Sequence, residues 1–181
     1  MHKKYIITGA AGTGKSVLLK GIESKGVACI AEISRQVIIK EQQQNNEGTP
    51  WQNIERSTHL VFQQTQHALE AQPNALFCDR SLVDNMAYLK YHNKAIPTYL
   101  QQFNFKKYYH KTVFFIPPWK KIYENDPQRP EDFQTQVNLS KVLRTTYLNL
   151  GFRFIEVPLA SINHRISFVW EQFNKLNTHY S

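Results

Sequence analysis

Cysteine is scarce in this chain of 181 residues, which contains only Cys29 and Cys78. Each lies in a short apolar segment, and neither has metal-ligand spacing to a second cysteine or to a histidine. This pattern favours two buried thiols in a reducing compartment over a metal site. The seven histidines are scattered as well, with His59 and His67 two helical turns apart, so we assign no metal role to them.

Long apolar runs are also lacking, and none approaches the roughly 20 residues that span a bilayer. The segment before Gly9 has two lysines and then a short apolar run that leads into a glycine-rich stretch. We interpret that segment as a first strand rather than a signal peptide. The hydrophobic fraction of 41% and the charged fraction of 20% are ordinary for a globular protein. We therefore expect a cytoplasmic protein with no membrane partner.

Acidic residues are missing between Asp84 and Glu124, although the chain as a whole carries a formal net charge of +8. This balance favours anionic partners such as nucleotides, phosphorylated metabolites or nucleic acid. Residues 85–123 interleave tyrosines and phenylalanines with lysines, and such a surface can bind a nucleic-acid backbone and stack bases. The alternative is that the aromatic rings belong to the core and the lysines form a solvated rim. Periodicity does not separate the two interpretations, and we favour the second.

Short apolar runs alternate with longer segments of helical spacing. The predicted strands are residues 4–8, 27–32, 75–79, 112–116 and 153–157. The predicted helices are residues 15–25, 51–72, 82–91, 133–150 and 162–176. The polar segment 41–50 is predicted to be a mobile loop or a frayed helix end. The alternation indicates one α/β domain over residues 1–181 with a parallel sheet.

Residues 9–16, GAAGTGKS, match the pattern G-x-x-x-x-G-K-[S/T] between a predicted strand and a predicted helix. The glycines let backbone N–H groups turn towards phosphate oxygens, and the helix N-terminus adds a positive end. Lys15 is expected to reach the outer phosphates, and the Ser16 hydroxyl to bind Mg²⁺. We predict binding of ATP, with GTP as the alternative. The predicted nucleotide-binding residues are Gly9, Ala10, Ala11, Gly12, Thr13, Gly14, Lys15, Ser16 and Val17.

Two carboxylates end predicted strands: Glu32 ends the second and Asp79 the third. Ligands of open α/β sheets bind at the carboxyl ends of strands, so we expect both near residues 9–16. We interpret Glu32 as a carboxylate that activates a substrate hydroxyl or holds metal. The alternative is a helix-start acid paired with Arg35. Asp79 is predicted to hold Mg²⁺, directly or through water.

The residues after Asp79 allow more than one role. Arg80 is expected either to contact substrate or phosphate, or to orient Asp79 or Glu32. Asp84 lies on the following predicted helix, where we interpret it as a structural cap.

The segment after the fourth predicted strand is rich in proline. PPW at 117–119 is expected to end the strand, and prolines stand on either side of Arg129. Phosphoryl transfer uses mobile loops that carry an arginine to cover the nucleotide and neutralise developing charge. We predict a lid loop over residues 117–132, with Arg129 as its catalytic arginine. The alternative is a surface loop with an incidental arginine.

Four segments, YIITGAAGTGKS, AEISRQVI, FCDRSLVDNMAY and FIPPWKKIYENDPQRPEDF, together resemble the small AAA-type ATPase domain family related to bacterial ribosylnicotinamide kinase domains. More distantly they are similar to P-loop nucleoside and nucleotide kinases, where DRS at 79–81 looks like the Asp/Glu-Arg-Ser element of deoxynucleoside kinases. The resemblance covers about residues 3–170 and implies a three-layer α/β/α P-loop fold with a five-stranded parallel sheet of order 2-3-1-4-5. It also implies ATP with Mg²⁺. By position it implies that Lys15 and Ser16 serve the phosphates and metal, that Glu32 and Asp79 are catalytic carboxylates and that Arg129 is the lid arginine. With the residues considered above, we predict Lys15, Glu32, Asp79, Arg80 and Arg129 as catalytic residues, with Ser16 and Asp79 at the metal.

Three functions compete on these residues. The first is a Mg²⁺-dependent ATPase or kinase that transfers phosphate to a nucleoside-like or other hydroxyl acceptor. The second is a nucleotide-dependent switch with no small acceptor. A Ras-type GTPase is disfavoured because Asp79 is followed by Arg-Ser-Leu rather than x-x-Gly, and because NKAI at 93–96 lacks the aspartate of Asn-Lys-x-Asp. The third is a nucleic-acid-associated protein that uses residues 85–123. We favour the kinase-like ATPase.

Overall fold

The computed structural model describes residues 2–124 and 131–178. Its centre is a sheet of five parallel strands in the order β2-β3-β1-β4-β5. The strands are β1 (Lys4–Thr8), β2 (Cys29–Ile30), β3 (Phe77–Asp79), β4 (Tyr109–Phe115) and β5 (Arg153–Glu156). Each overlaps a predicted apolar run, and the predicted class and sheet order are confirmed.

Eight α-helices and one 3₁₀ turn, Lys120–Ile122, connect and follow the strands within the described ranges. The helices are α1 (Lys15–Glu23), α2 (Ile33–Gln43), α3 (Ile54–Ala71), α4 (Leu82–Tyr91), α5 (Thr98–Gln101), α6 (Phe105–Tyr108), α7 (Phe133–Asn149) and α8 (Ile162–Thr178). The bounds of α4 are as predicted, whereas α2 was not predicted from the sequence. That helix buries only Val37, Ile38 and Glu41, so its apolar periodicity is weak. None of these helices has the length and apolarity needed to cross a bilayer.

The core lies on both faces of the sheet because the side chains of a strand alternate between faces. Ile6 of β1 packs in a cluster with residues of α3, α4 and α7. Its neighbours Tyr5 and Ile7 belong to a second cluster with residues of α1 and α8. All five residues of β1 are buried, as expected for a central parallel strand. The result is the predicted three-layer α/β/α sandwich.

The aromatic side chains of the lysine-rich stretch largely belong to the core. Phe105, Tyr108 and Tyr109 are buried in the cluster on the α4 and α7 face of the sheet. Lys106 and Lys107, between them in the chain, are exposed. This arrangement agrees with the interpretation of residues 85–123 as core rings with a solvated lysine rim.

The segment 44–53, which joins α2 to α3, is anchored by a buried acid. Glu41 is only 5% exposed and accepts hydrogen bonds from Nδ2 of Asn46 and Nε of Arg56, both at 3.3 Å. A Cβ on Gly48 would lie 1.9 Å from Oε2 of Glu41, so the chain passes this carboxylate closely. Helix α2 therefore ends inside the segment 41–50 that was predicted as a loop or frayed helix end. Part of the remaining segment packs against Glu41.

Both cysteines are free thiols in adjacent strands, with Cys78 buried in β3 and Cys29 half-buried in β2. Burial, followed by the charge of Glu23, raises the pKa of Cys29 to about 12. The Cys29 thiol is therefore protonated at neutral pH, and the thiolate is the reactive form of cysteine.

A buried hydrogen-bond cluster ties α4 to β1 and α7. Asp84 is 2% exposed and forms a capping box with Ser81 at the start of α4. Its carboxylate accepts from the hydroxyls of Thr8 and Tyr147, each at 2.5 Å. Since the Tyr147 hydroxyl donates to Asp84, Oγ of Ser81 donates to the Tyr147 oxygen, at 2.7 Å. The capping role predicted for Asp84 is confirmed, and the cluster fixes α7 relative to the sheet.

We predict that Tyr147→Phe lowers the free energy of unfolding by about 1.5–3 kcal/mol, because it removes a buried hydrogen bond to a charged acceptor. The measurement is urea unfolding followed by circular dichroism. Tyr91→Phe on α4 is the matched control, since its hydroxyl lies outside this cluster, and it should change stability by less than about 0.5 kcal/mol. Equal losses in both variants would contradict the account of the cluster.

Candidate active site

The phosphate loop, residues 9–16, connects β1 to α1 at the carboxyl edge of the sheet. Gly9, Gly12 and Gly14 have positive φ angles of 148°, 73° and 77°, a region that favours glycine. A Cβ on Gly9 would lie 2.3 Å from the backbone oxygen of Ile116. The loop thus makes the tight turn that its sequence pattern predicts.

Lys15 begins α1 and is 5% exposed. Its Nζ donates to the backbone oxygen of Ala10 at 2.8 Å and to Oγ1 of Thr13 at 3.4 Å. Burial, followed by the positive charge of Arg80, lowers the pKa of Lys15 to about 8. Because this pKa lies about one unit above pH 7, the ammonium group of Lys15 is mostly charged at neutral pH.

Asp79 ends β3 and accepts a hydrogen bond on Oδ2 from the hydroxyl of Ser16, at 3.0 Å. The carboxylate is buried, and its Oδ1 has no hydrogen-bond partner among the described residues. Burial, followed by the negative charge of Glu32, raises the pKa of Asp79 to about 6. An unused carboxylate oxygen beside a hydroxyl is a donor set that suits Mg²⁺.

Ser16 and Asp79 together provide only some of the oxygen ligands that a Mg²⁺ ion needs. In residues 2–124 and 131–178 no group of three or more His, Cys, Asp or Glu side chains is arranged to hold a metal ion. A Mg²⁺ ion at Ser16 and Asp79 would take its other ligands from phosphate oxygens and water, which is how Mg²⁺ is usually held beside nucleotides.

Glu32 lies at the N-terminus of α2 and forms an ion pair with Arg80, at 2.7 Å between Oε1 and Nε. The hydroxyl of Ser34 also donates to Oε1, at 3.0 Å. Burial raises the pKa of Glu32, but the charges of Arg80 and Lys15 outweigh that effect and hold the pKa at about 2. Glu32 is therefore a carboxylate throughout the neutral range.

Arg80 links three parts of this edge of the sheet. Its backbone φ is 68°, which is uncommon for a residue with a side chain. Its NH1 group donates to the backbone oxygen of Gly9 at 3.3 Å and to Oδ1 of Asp84 at 3.4 Å. The ion pair with Glu32 matches the interpretation in which Arg80 orients that carboxylate. The bond to Gly9 also holds the start of the phosphate loop.

A cavity of about 240 Å³ opens beside the phosphate loop, and Lys15, Ser16, Glu32 and Arg80 all contribute to its lining. Other lining residues come from α2, α3, α4 and the segment before α3. Beyond residues 9–17, the apolar members of the lining are Ile38, Pro50, Trp51, Ile54, Val61 and Tyr88. The further polar members include Ser34, Arg35, Ser57, Thr58, Asn85 and Glu131.

Most of the residues that line this cavity were not predicted from the sequence. Trp51 is 43% exposed, which is unusual for so large an aromatic side chain, and it contributes to the cavity. Helix periodicity marks the buried face of α3 but not which part of that face borders a cavity. Arg35, considered above as a partner of Glu32, is itself a lining residue.

Two buried polar side chains from distant elements also contact the phosphate loop. Gln136 of α7 accepts a hydrogen bond on Oε1 from the backbone N–H of Ala11, at 2.9 Å. Arg165 of α8 donates from NH2 to the backbone oxygen of Thr13, also at 2.9 Å. Neither residue has a sequence signal that points to the loop, because both reach it only through the tertiary fold.

The predicted lid lies partly outside the described residues, and Arg129 is among those not described. On either side of the residues that are not described, the hydroxyl of Tyr123 donates to the backbone oxygen of Glu131. The Tyr123 ring packs on the phosphate loop, because a Cβ on Gly12 would lie 2.5 Å from that ring. The assignment of residues 117–132 as a lid stays a prediction.

Comparison with known proteins gives a family and a fold. A family model described as an AAA domain matches residues 4–165. No protein of curated function matches the sequence.

Among solved structures, deoxyadenosine kinase from M. mycoides with bound dATP has a TM-score of 0.67 at 15% identity, over 94% of this chain and 99% of that chain. Thymidylate kinase from Candida albicans has a TM-score of 0.67 at 16% identity, over 98% of this chain and 93% of that chain. The M. mycoides enzyme with products dCMP and a flexible dCDP bound has a TM-score of 0.62 at 16% identity, over 95% and 99% of the two chains. At such identities the likeness shows a shared fold, the P-loop fold of nucleoside and nucleotide kinases. Because the family model matches residues 4–165, the chain belongs to the AAA-domain family.

Proposed function

We propose that this protein binds ATP with Mg²⁺ and transfers the terminal phosphate to a hydroxyl group of a nucleoside-like acceptor. One observation carries the proposal. Lys15 and Ser16 of the phosphate loop line the same cavity as the ion pair of Glu32 and Arg80. A phosphate donor and a hydroxyl acceptor that occupied this cavity would therefore meet beside a carboxylate.

The nucleotide is assigned to residues 9–17, where backbone N–H groups and the N-terminus of α1 would bind its phosphates. Lys15 would contact the outer phosphates. The likeness in fold to a deoxyadenosine kinase that holds dATP supports a purine nucleotide. We keep ATP as the first choice and GTP as the alternative.

Mg²⁺ is assigned to Ser16 and the unused Oδ1 of Asp79. When bound, the ion neutralises part of the charge on the phosphate oxygens. Binding there requires Asp79 to be ionised, although burial and Glu32 hold its pKa near 6 in the free protein.

Glu32 is assigned to the acceptor hydroxyl, with Arg80 as the residue that positions it. With a pKa of about 2, Glu32 is a weak base, so it orients the hydroxyl by a hydrogen bond and takes its proton late. This timing suits phosphoryl transfer, in which positioning and charge stabilisation matter more than early deprotonation. Lys15 and the predicted lid residue Arg129 would stabilise the negative charge on the phosphoryl group.

The cavity supports a small acceptor with an aromatic ring. Its volume of about 240 Å³ is slightly below the roughly 300–1,000 Å³ of sites for drug-sized ligands. Trp51 and Tyr88 provide aromatic surface, and Asn85 provides polar groups for a base edge. Such a pocket next to Glu32 favours the kinase over a regulatory ATPase with no small acceptor.

The proposal is tested by ADP formation from ATP and Mg²⁺ in the presence of nucleosides, nucleotides and sugars. We expect at least one nucleoside-like compound to stimulate turnover. Glu32→Gln should lower the stimulated rate by about 10²- to 10⁴-fold while leaving ATP affinity within about threefold. Glu55→Gln is the control, because Glu55 lies on the surface of α3 in an exposed ion pair with Lys94. Slow hydrolysis that no compound stimulates would contradict the kinase and favour the regulatory switch.

We predict a bell-shaped pH dependence of kcat/KM for ATP with its maximum near pH 7. The acid limb lies near pH 6, because Asp79 must lose its proton and its pKa is raised to about 6. The alkaline limb lies near pH 8, because Lys15 must keep its proton and its pKa is lowered to about 8. A profile that is flat between pH 5 and pH 10 would rule out these two groups as the limiting ones.

We predict that Trp51→Ala raises KM for the acceptor by about tenfold, because stacking of a base on an aromatic ring contributes about 1–3 kcal/mol. The KM for ATP should not change, since Trp51 precedes α3 and is not part of the phosphate loop. Trp170→Phe on α8 is the control, as Trp170 stacks on Phe173 away from the cavity lining. A rise of both KM values in Trp51→Ala would argue against a role specific to the acceptor.

A further inference from the structure

Gln136 is a buried polar side chain whose presence the fold alone does not explain. It lies in the first turn of α7 and is 1% exposed. Its Oε1 accepts the hydrogen bond from the backbone N–H of Ala11, at 2.9 Å. Its Nε2 is buried and has no hydrogen-bond partner within residues 2–124 and 131–178. A buried, unpaired donor costs free energy, and an apolar side chain of the same length would avoid that cost.

The bond from Ala11 fixes one end of a peptide group whose other end holds Lys15. The N–H of Ala11 and the C=O of Ala10 belong to the same planar unit, in which they point in opposite directions. The Ala10 oxygen accepts from Nζ of Lys15 at 2.8 Å and from Oγ1 of Thr13 at 3.1 Å. If the N–H is held, the plane cannot rotate, so the direction of the carbonyl towards Lys15 is held as well.

Gln136 holds the N–H side of this peptide. The amide N–H is a single donor, and among the described residues its hydrogen bond goes to Gln136. Without Gln136, the hydroxyl of Thr13 would be left to restrain the carbonyl side, so the plane would turn more easily and the acceptor of the Lys15 ammonium would be less firmly oriented. Lys15 is 5% exposed, so its ammonium group depends on acceptors in the protein such as the Ala10 oxygen rather than on water.

We propose that Gln136 is a positioning residue of the phosphate loop, which orients Lys15 for the outer phosphates through the Ala10–Ala11 peptide. The inference rests on the proposed nucleotide binding and adds a residue from α7 to it. Gln136 does not touch the nucleotide in this role. Its effect on ATP therefore depends on the presence of Lys15.

The test is a double-mutant cycle on ATP affinity, measured by titration calorimetry with the full chain. Gln136→Met keeps the length and the helix propensity of the side chain but removes the acceptor. We expect it to weaken ATP binding by about five- to tenfold. In a Lys15→Met background the same substitution should weaken binding by less than about twofold, because coupled residues are not additive. Gln134→Met is the control, since Gln134 is exposed on the same turn of α7, and it should leave affinity unchanged.

A purely structural role makes a different prediction. If Gln136 only stabilised the fold, Gln136→Met would weaken binding by the same factor with Lys15 present or replaced, and this would overturn the inference. If Gln136→Met unfolds the chain, Gln136→Ala takes its place in the same cycle, since it leaves room for a water to serve the Ala11 N–H.

The outcomes for this inference and for the proposed function are distinct. Unchanged ATP affinity in the Gln136 variants, with normal binding to the wild-type chain, would overturn the positioning role alone. Absence of ATP binding to the wild-type chain would overturn both.

Discussion

Arg80 maintains the charge balance on which the carboxyl edge of the sheet depends. Three carboxylates meet there, Asp79 and Asp84 buried and Glu32 half-buried, and Arg80 forms ion pairs with Glu32 and Asp84. Removing one partner of a buried ion pair typically costs about 3–5 kcal/mol, because the other charge is left uncompensated. The backbone of Arg80 has a left-handed conformation at this edge of the sheet, which is strained for a residue with a side chain.

The same charges give the two sides of the candidate site different chemical properties. On one side, Asp79 and Ser16 lie together with an unused carboxylate oxygen, as a metal and phosphate site requires. On the other side, Glu32 lines the cavity and is kept ionised by Arg80. Two carboxylates in one cluster thus have pKa values of about 2 and about 6, because within residues 2–124 and 131–178 Glu32 forms an ion pair with an arginine and Asp79 does not. Opposite shifts of this kind assign different roles to chemically similar groups.

Much of the fold could be predicted from the sequence because its signals are local. The apolar run of β1, the glycine pattern of the phosphate loop and the bounds of α4 each depend on neighbouring residues. The pairing of Glu32 with Arg80 was only one of the alternatives, since the choice depends on β2 and β3 being adjacent in the sheet. The cavity was missed for a related reason, as its lining comes from the faces of α2, α3 and α4. Gln136 and Arg165 reach the loop from positions more than a hundred residues away along the chain, which no local pattern reveals.

The central claim is that a phosphate donor and a hydroxyl acceptor occupy adjacent sites at the same time. The most direct measurement is calorimetric titration of nucleosides into the chain already saturated with Mg²⁺ and a non-hydrolysable ATP analogue. The account predicts that one nucleoside-like compound binds to this complex in a 1:1 ratio while the analogue stays bound. If every compound either fails to bind or binds only by displacing the analogue, the cavity beside Glu32 is not an acceptor site.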